Sequence, residues 1–186
     1  MDTRDALLDS AEQLVRSRGF DAFSYADLSA AVGIRKASIH HHFPTKADLA
    51  LALIVRYRAQ FGDTLGAISR KSATGGARLR GYLDAYRAAL QGGRAVCLCV
   101  AFSAGRESFS DPVLAELDGF HRDGAVWLRE TFAKGREDGS IKAVGEPSAE
   151  ADATLALVEG AQLVARAAGD IERYDAATGL LRQRTR

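Results

Sequence analysis

Residues Leu28–Leu49 read LSAAVGIRKASIHHHFPTKADL and give the strongest indication of the fold. Apolar residues at positions 28, 31 and 32 form the buried side of a short helix, and Gly33 ends it. A second short helix is predicted from about Lys36 to Phe43, because Pro44 cannot continue it. Two short helices joined by a glycine turn are typical of a helix-turn-helix, whose second helix can lie in a DNA major groove.

The chain before and after this stretch carries its own helix signals. Apolar residues at positions 7, 11, 14 and 15 share one side of a helix predicted from Thr3 to Arg18, with Gly19 just past its end. Ser24 and Thr45 are candidate N-cap residues, each followed three positions later by an aspartate. The helix-turn-helix is therefore predicted to have a supporting helix before it and a long helix after it.

The rest of the chain also favours helix, since proline occurs only three times and strand patterning is nearly absent. The segment Ser69–Ala77, with two adjacent glycines, predicts a connection. The apolar run Ala95–Phe102 is read as a helix because no other strand is available to pair with it. Further helices are predicted over about 77–90, 112–138 and 149–168, the last capped by Ser148. The fold class is all-α.

Charge narrows the function classes. The 186 residues carry 25 Lys and Arg against 24 Asp and Glu, a net charge of +1. Such a balance excludes a protein that coats nucleic acid by bulk charge, and the 47% apolar content excludes a disordered chain. Locally the balance changes, because no carboxylate occurs over residues 28–47. That window holds Arg35, Lys36, Lys46 and the run His40–His42, so a phosphate backbone would meet the least repulsion there.

Cysteine usage and hydropathy indicate the compartment. Only Cys97 and Cys99 occur, and one intervening residue is too short a span for an unstrained bridge, so we expect reduced thiols. The longest apolar run, Ala95–Phe102, is far shorter than the roughly 20 residues that a membrane-spanning helix needs. The polar N-terminus does not read as a signal peptide. We therefore expect a cytoplasmic protein with no membrane partner.

Residues 28–49 resemble the DNA-binding signature of TetR-family transcriptional regulators. The shared pattern is a glycine turn, a short helix that ends in a histidine cluster and Phe43, and then Thr45 and Lys46 at the start of the fourth helix. The resemblance implies an N-terminal three-helix DNA-binding domain, expected over 1–48, and a helical effector-binding and dimerisation domain over 49–186. It also implies a repressor that a small-molecule effector releases from a palindromic operator.

The same resemblance implies a set of DNA-contacting residues. Lys36, Ala37 and Ser38 would lie at the start of the recognition helix, and the histidines would reach phosphates or base edges. Lys46 would bind phosphate, and Ser24 and Tyr25 would contact the DNA backbone. The full implied set is Ser24, Tyr25, Lys36, Ala37, Ser38, His40, His41, His42 and Lys46. The family usually has Tyr where this chain has His40, and often Ser or Thr where it has Arg35. A metal site on the three histidines is disfavoured, because successive helical residues point about 100° apart.

In the second half, Cys97-Leu98-Cys99 with Glu107 is similar to a subgroup of the family that responds to reactive electrophiles and bleach. That similarity implies Cys97 as a sensor thiol, whereas buried thiols that act as small apolar residues are the alternative. Aromatic residues at helical spacing could line an effector pocket or be ordinary core. The pocket candidates are Phe61, Tyr82, Tyr86, Phe102 and Trp127.

Three functions follow as alternatives. The first is an effector-released repressor that forms a homodimer through the helices over about 112–138 and 149–168. The second is a thiol-based repressor of the same fold that uses Cys97. The third is a small helical enzyme or adaptor that does not bind DNA, although no catalytic residue pattern, metal spacing or cofactor motif stands out. The expected partners are double-stranded operator DNA, a second copy of the chain and a small molecule.

Overall fold

The computed structural model of the chain describes residues 2–185. Within that range the structure is all-α, as the sequence predicts, and its only bridge is an isolated pair between Ile141 and Thr185. The helices are α1 Thr3–Arg18, α2 Tyr25–Val32, α3 Lys36–His42, α4 Lys46–Lys71, α5 Gly75–Ala89, α6 Leu98–Ala104, α7 Asp111–Glu137, α8 Pro147–Ala168 and α9 Glu172–Gln183. Two single 3-10 turns occupy Gln91–Gly93 and Arg106–Ser108.

These helices form two compact units. The first unit contains the residues up to Ala59 together with Leu98–Asp118. The second unit contains Gln60–Cys97 together with the residues from Gly119 onward. The long helices α4 and α7 therefore contribute to both units. Across residues 2–185 we find no helix with the length and apolar content needed to cross a membrane.

In the first unit, α1 packs against two other helices. It spans Thr3–Arg18, as predicted, and Asp2 caps it by accepting a hydrogen bond from the Arg4 backbone N–H at 3.4 Å. Its buried side contacts α2 and α6. Removing this apolar surface from water contributes about 25 cal/mol per Å² to stability. The buried residues of α1 are Leu7, Leu8, Ala11 and Val15.

In the second unit, α8 and α9 pack against each other and both contact α5. The hydroxyl of Tyr174 on α9 donates to the Leu83 carbonyl of α5 at 2.9 Å, inside the core. Arg184 forms a bidentate ion pair with Glu150 on α8, with distances of 2.9 and 2.6 Å. That pair holds the pKa of the Glu150 carboxyl below its ordinary value. These contacts fix α9 on the other two helices.

The sequence prediction missed α9, because its apolar signal is short. Its buried side consists of Tyr174, Thr178 and Leu181, spaced at four and three residues, with a threonine in the middle. Ion pairs with α5 supply part of the stability instead. Asp175 of α9 accepts from Arg87 of α5 at 2.7 Å, and Arg182 of α9 donates to Asp84 of α5 at 2.7 Å. Tertiary packing of this kind stabilises helices that periodicity does not predict.

The predicted connection Ser69–Ala77 is shorter than expected, since only residues 72–74 lie outside helices. The two glycines expected to break the helix form the buried first turn of α5. There the Gly75 N–H donates to Asp138 Oδ2 at 2.8 Å and the Gly76 N–H donates to Ser140 Oγ at 2.7 Å. These glycines therefore do not form a flexible loop. They allow α5 to approach the end of α7 closely.

This close approach predicts a large cost for a single methyl group. A Cβ on Gly75 would collide with the Gly135 backbone and would lie 2.7 Å from the Thr131 carbonyl oxygen. Because backbone cannot move aside cheaply, we expect Gly75→Ala to lower the free energy of unfolding by about 3 kcal/mol, measured by urea denaturation.

The matched control is Gly62→Ala, in the exposed part of α4, where a Cβ would meet nothing within 4 Å. It should raise stability by up to about 1 kcal/mol, since alanine favours helix over glycine. Equal stability of the two variants would show that the contact between α5 and α7 is looser than the structure indicates.

Two other helix starts differ from the prediction. Within the apolar run Ala95–Phe102, the helix begins only at Leu98. The Cys97 backbone N–H, just before this start, donates to the Gln162 side chain at 2.7 Å. The last predicted helix begins at Pro147 and not at Ala149. Its cap is Glu146, whose carboxylate accepts from two backbone N–H groups, and not Ser148.

Candidate nucleic-acid interface

The turn between α2 and α3 is built by side-chain caps. Ser24 Oγ accepts from the Asp27 N–H at 3.4 Å, and Asp27 Oδ2 accepts from the Ser24 N–H at 2.7 Å, which completes a capping box. The hydrogen bonds from Ser24 hold the pKa of the Asp27 carboxyl below its ordinary value. Gly33 then ends α2 with a φ of 75°, a conformation that other residues rarely adopt. These caps fix the direction in which α3 leaves α2.

The helix α3 has a buried side and an exposed outer side. Ile39 is fully buried, while Ala37 and His41 lie about 160° around the helix from it and are exposed. Lys36, Ser38 and His40 are exposed at the flanks, and His42 is half-buried. An open recess of about 520 Å³ lies along this outer side. It is lined by Thr3, Ile34, Ala37, Ser38, His41 and His42.

Tyr25 and His40 hold the end of α3. The Tyr25 hydroxyl lies 2.9 Å from the Phe43 carbonyl oxygen and 2.7 Å from that of Thr45, so it can donate to either. Burial, assisted by the nearby charge of Asp48, raises the pKa of Tyr25 to about 12. The His40 ring stands edge-on to Tyr25 at 4.9 Å, and its Nδ1 lies 3.1 Å from the Pro44 carbonyl oxygen.

Lys46 is held against the turn between α1 and α2. Its amine donates to the Phe20 carbonyl oxygen at 2.7 Å and lies 4.6 and 4.5 Å from the ring centroids of Phe20 and Phe23. Desolvation by these neighbours lowers the pKa of the Lys46 amine. One donated hydrogen bond leaves two further N–H groups on the ammonium. The charge therefore has a fixed position beside the start of α4.

The carboxylates at either end of the carboxylate-free window are both used as caps. Asp27 belongs to the capping box of α2. At the other end, Asp48 Oδ2 accepts from the Thr45 N–H at 2.9 Å and from its hydroxyl at 2.7 Å. The window itself contributes no acidic side chain that would oppose an incoming phosphate. The carboxylates whose charge acts on Lys46 are Asp21 and Asp27, which lie outside the window.

Sequence reasoning missed the aromatic support of this surface. Phe20 and Phe23 flank the turn before α2 and hold Lys46, a role that the sequence analysis did not assign to them. Arg4 of α1 lies over the Phe43 ring at 5.2 Å. Two aromatic residues three positions apart, just after a glycine helix end, were the available signal. Among residues 2–185, no group of three His, Cys, Asp or Glu side chains has a geometry suited to a metal ion.

The predicted pocket residues are divided between the two units. In the second unit, Phe61, Tyr82 and Tyr86 form a ring cluster, and Trp127 stacks on Tyr82 with centroids 5.7 Å apart. Burial raises the pKa of both tyrosine hydroxyls, which keeps them neutral. Phe102 lies in the first unit instead, where it packs on Phe20 and Phe109. Cys97 and Cys99 are both buried.

Comparison with known proteins gives the family. Residues 7–53 match the family model described as bacterial regulatory proteins, tetR family. The HTH-type transcriptional repressor NemR of Escherichia coli strain K12 is 30% identical over 176 residues, which cover 92% of this chain and 87% of NemR.

Solved structures of TetR-family regulators are also similar to this chain. A TetR-family transcriptional regulator from Agrobacterium tumefaciens superposes with a TM-score of 0.91 at 32% identity, covering 99% of this chain and 98% of that one. The reduced form of E. coli NemR superposes with a TM-score of 0.81 at 26% identity, covering 100% and 98%. Regulators of this family bind operator DNA as dimers and respond to small molecules. The chain belongs to the TetR family and is a DNA-binding transcriptional regulator, not an enzyme.

Proposed function

We propose that the chain is a repressor that binds a palindromic operator as a homodimer and is released from it by a small-molecule effector. In this proposal residues 1–48 bind DNA, and residues 49–186 bind the effector and the second copy. The observation that carries it is the exposed outer side of α3, free of carboxylates and bordered by an open recess. Two such helices about 34 Å apart would enter successive major grooves. A regulator of bacterial DNA works in the cytoplasm.

The proposed contacts divide into two classes. Ala37 and His41, with Ser38 beside them, face outward from α3 and would read base edges. The remaining candidates would contact the phosphate backbone and set the register of the protein on the duplex. This second class contains Ser24, Tyr25, Lys36, His40, His42 and Lys46. Tyr25 and His40 would also act by holding the end of α3, given their contacts with the backbone there.

Lys46 provides a test of the electrostatic part of the proposal. Lys46→Met removes the charge but keeps an apolar stem against Phe20 and Phe23. Each phosphate contact releases about one counterion, so the slope of log affinity against log salt should fall by about two for a dimer. Affinity should drop similarly for all duplex sequences. Fluorescence anisotropy over a range of salt concentrations measures both quantities.

The control is Lys71→Met, an exposed lysine at the other end of α4 with the same change in charge. It should leave the salt slope unchanged. An unaltered salt slope for Lys46→Met would show that Lys46 does not contact a DNA phosphate. Its role would then be limited to the hydrogen bond with the Phe20 carbonyl oxygen.

The homodimer is proposed to form around α8. Its outer side is apolar over about four turns. The exposed residues there are Ala153, Ala156, Leu157, Gly160, Leu163, Val164 and Ala167. Such a stripe on a surface helix marks an interaction face. A Cβ on Gly160 would meet nothing within 4 Å, so this point can accept a close helix neighbour. On α7, Val126 is 41% exposed and extends this face in the proposed pairing of 112–138 with 149–168.

The helix α9 is a second candidate for the flank of this face, because Leu180 is 72% exposed on it. The outer stripe of α8 is bordered by Glu159 on the side that contacts His121 of α7. The opposite side of the stripe is the side of Glu150, which pairs with Arg184 just after α9. The exposed residues along that side are apolar, namely Leu157 and Val164. This distribution favours α9 beside α8 at the contact between copies.

The effector is proposed to bind in the second unit, at the ring cluster of Phe61, Tyr82, Tyr86 and Trp127. Aromatic walls with a few polar groups are typical of small-molecule sites. Phe102 is not part of this proposal, because its ring contacts are with Phe20 and Phe109. The alternative in which Cys97 acts as a sensor thiol stays a prediction.

A further inference from the structure

The first turn of α1 carries a cation beside the end of α3. The Arg4 guanidinium lies over the Phe43 ring, with its Cζ 5.2 Å from the ring centroid. Phe43 is buried and directly follows α3, so its ring has a fixed position. A guanidinium over an aromatic face is attracted to it. The charge of Arg4 is therefore held next to the proposed DNA surface.

This charge is not neutralised within the part of the chain that the structure describes. Arg16 and Arg58, in the same unit, pair with glutamates at 3.0 and 2.9 Å. Among residues 2–185, no carboxylate forms an ion pair with the Arg4 guanidinium. The contact with Phe43 uses the flat face of the guanidinium and leaves the N–H donors along its edge. Arg4 can therefore bind an anion without giving up its present contact.

The open recess beside α3 brings the same turn of α1 to the proposed path of the DNA. This recess of about 520 Å³ is lined by Thr3 of α1 as well as by Ala37 and His41 of α3. An α-helix with its side chains is about as wide as the major groove, so a helix that enters the groove fills it. The sugar-phosphate backbone at the groove edge must then pass beside the helix. Thr3 and its neighbour Arg4 lie where that backbone would pass.

The two carboxylates of this turn do not face the recess. Asp2 Oδ1 accepts from the Arg4 backbone N–H at 3.4 Å and serves as the cap of α1. Asp5 lies about 160° around α1 from Thr3. Neither residue lines the recess. The surface that α1 presents to this space is therefore neutral or positive.

We propose that the first turn of α1 is a further DNA-contacting surface, in which the Arg4 guanidinium binds a phosphate at the edge of the groove that α3 enters. This inference rests on the proposed DNA surface of α3 and extends it to a helix outside the carboxylate-free window. A guanidinium donates parallel N–H bonds to a phosphate, and Phe43 fixes the direction from which it does so. Because every sequence has phosphates, the contact adds affinity and positions α3 without selecting bases.

Arg4→Met tests the contact, since it removes the charge and keeps an apolar stem over the Phe43 ring. In anisotropy titrations, the slope of log affinity against log salt should fall by about two for a dimer, and similarly for all duplex sequences. The melting temperature should fall by no more than about 2 to 4 °C, because an exposed cation–π contact contributes little to stability. An unchanged slope would refute the phosphate contact. A loss confined to one duplex sequence would refute it in favour of a base contact.

The control for this change is Arg70→Met, at an exposed arginine near the end of α4 in the second unit. It removes the same charge and should leave the salt slope unchanged. If both variants lowered the slope equally, the effect would come from net charge, and the assignment to Arg4 would be wrong.

Thr3→Glu tests the path of the DNA independently of Arg4. A glutamate in the first turn of a helix is favourable, so the melting temperature should stay the same or rise. A carboxylate on the recess should nevertheless weaken duplex binding at least about tenfold. Thr64→Glu, at an exposed residue of α4 in the second unit, should change affinity less than about threefold. Equal affinity of the two variants would show that the DNA does not pass the recess and would overturn the proposal.

Comparison with Lys46→Met distinguishes failure of this inference from failure of the proposed function. A normal salt slope for Arg4→Met, together with a lowered slope for Lys46→Met, refutes only the contact made by α1. An unaltered chain that binds no duplex even at low salt refutes the repressor function, and the contact of α1 with it.

Discussion

Replacing Ala37 with glutamate is expected to abolish specific operator binding while leaving the fold intact. Ala37 lies on the outer side of α3, opposite the buried Ile39, and is exposed in the free protein. In the proposed complex each copy would carry a new carboxylate into a groove lined by phosphates. At about 2 kcal/mol for each half-site, the dimer should lose about a thousandfold in affinity. Anisotropy with a labelled operator duplex measures the loss.

A variant with the same change in charge separates this effect from simple net-charge repulsion. Ala73→Glu adds a glutamate in the exposed connection between α4 and α5, in the second unit. It should change operator affinity less than about threefold, since an exposed charge more than a Debye length from the duplex is largely screened. If Ala37→Glu bound as well as Ala73→Glu, the outer side of α3 would not be the DNA-reading surface.

The second large effect is expected at the contact between copies. Leu163 is 49% exposed on the outer side of α8, so Leu163→Asp should not disturb the core of a single chain. In a two-fold interface the substitution would bury two carboxylates close together, at a cost of about 3 kcal/mol or more. We expect light scattering to show one chain mass instead of two at micromolar concentration, and operator affinity to fall about a hundredfold with it.

Three further aspartate variants define the interface. Val55→Asp, at a residue of similar exposure on α4 in the first unit, should leave the dimer intact. Val126→Asp tests α7 and Leu180→Asp tests α9 as the helix that flanks α8. The variant that dissociates the dimer more strongly identifies the helix that flanks α8. Because of the distribution of exposed apolar residues, we expect this variant to be Leu180→Asp. A Leu163→Asp protein that remained dimeric would exclude α8 itself.

Local rules predicted α1, α2 and α4 well, because side-chain caps mark the residues where these helices begin. The start of α3 has no such cap. Ser24 and Thr45 cap α2 and α4 through aspartates three residues later, and Gly33 ends α2 in the left-handed conformation that few other residues adopt. These interactions span at most five residues. They are therefore visible in the sequence without knowledge of the tertiary fold.

The second unit was predicted less well, because its errors concern interactions between residues far apart in sequence. Gly75 appeared to break a helix, but its hydrogen atom leaves room for α7, about 60 residues later. The helix α9 depends on contacts with α5 and α8 rather than on its own periodicity. Such packing overrides local propensity and cannot be inferred from a single chain segment.

The candidate DNA surface shows the same division. The cations and histidines of α3 could be listed from the sequence, since charge and position in a short helix are local properties. The support of Lys46 by Phe20 and Phe23 could not, because it joins the start of α4 to a turn about 25 residues earlier. Likewise, aromatic spacing alone grouped Phe102 with the predicted pocket residues, although its ring packs on Phe20 in the first unit.

In the proposed complex, two copies of α3 read a two-fold symmetric DNA site. The most direct test is selection of bound sequences from a random duplex library, with the purified protein and with Ala37→Glu in parallel. We expect one enriched palindrome with the protein, whose half-sites lie one or two helical turns apart, and no enrichment with the variant. Selection of no palindrome, or of the same palindrome by both proteins, would contradict it.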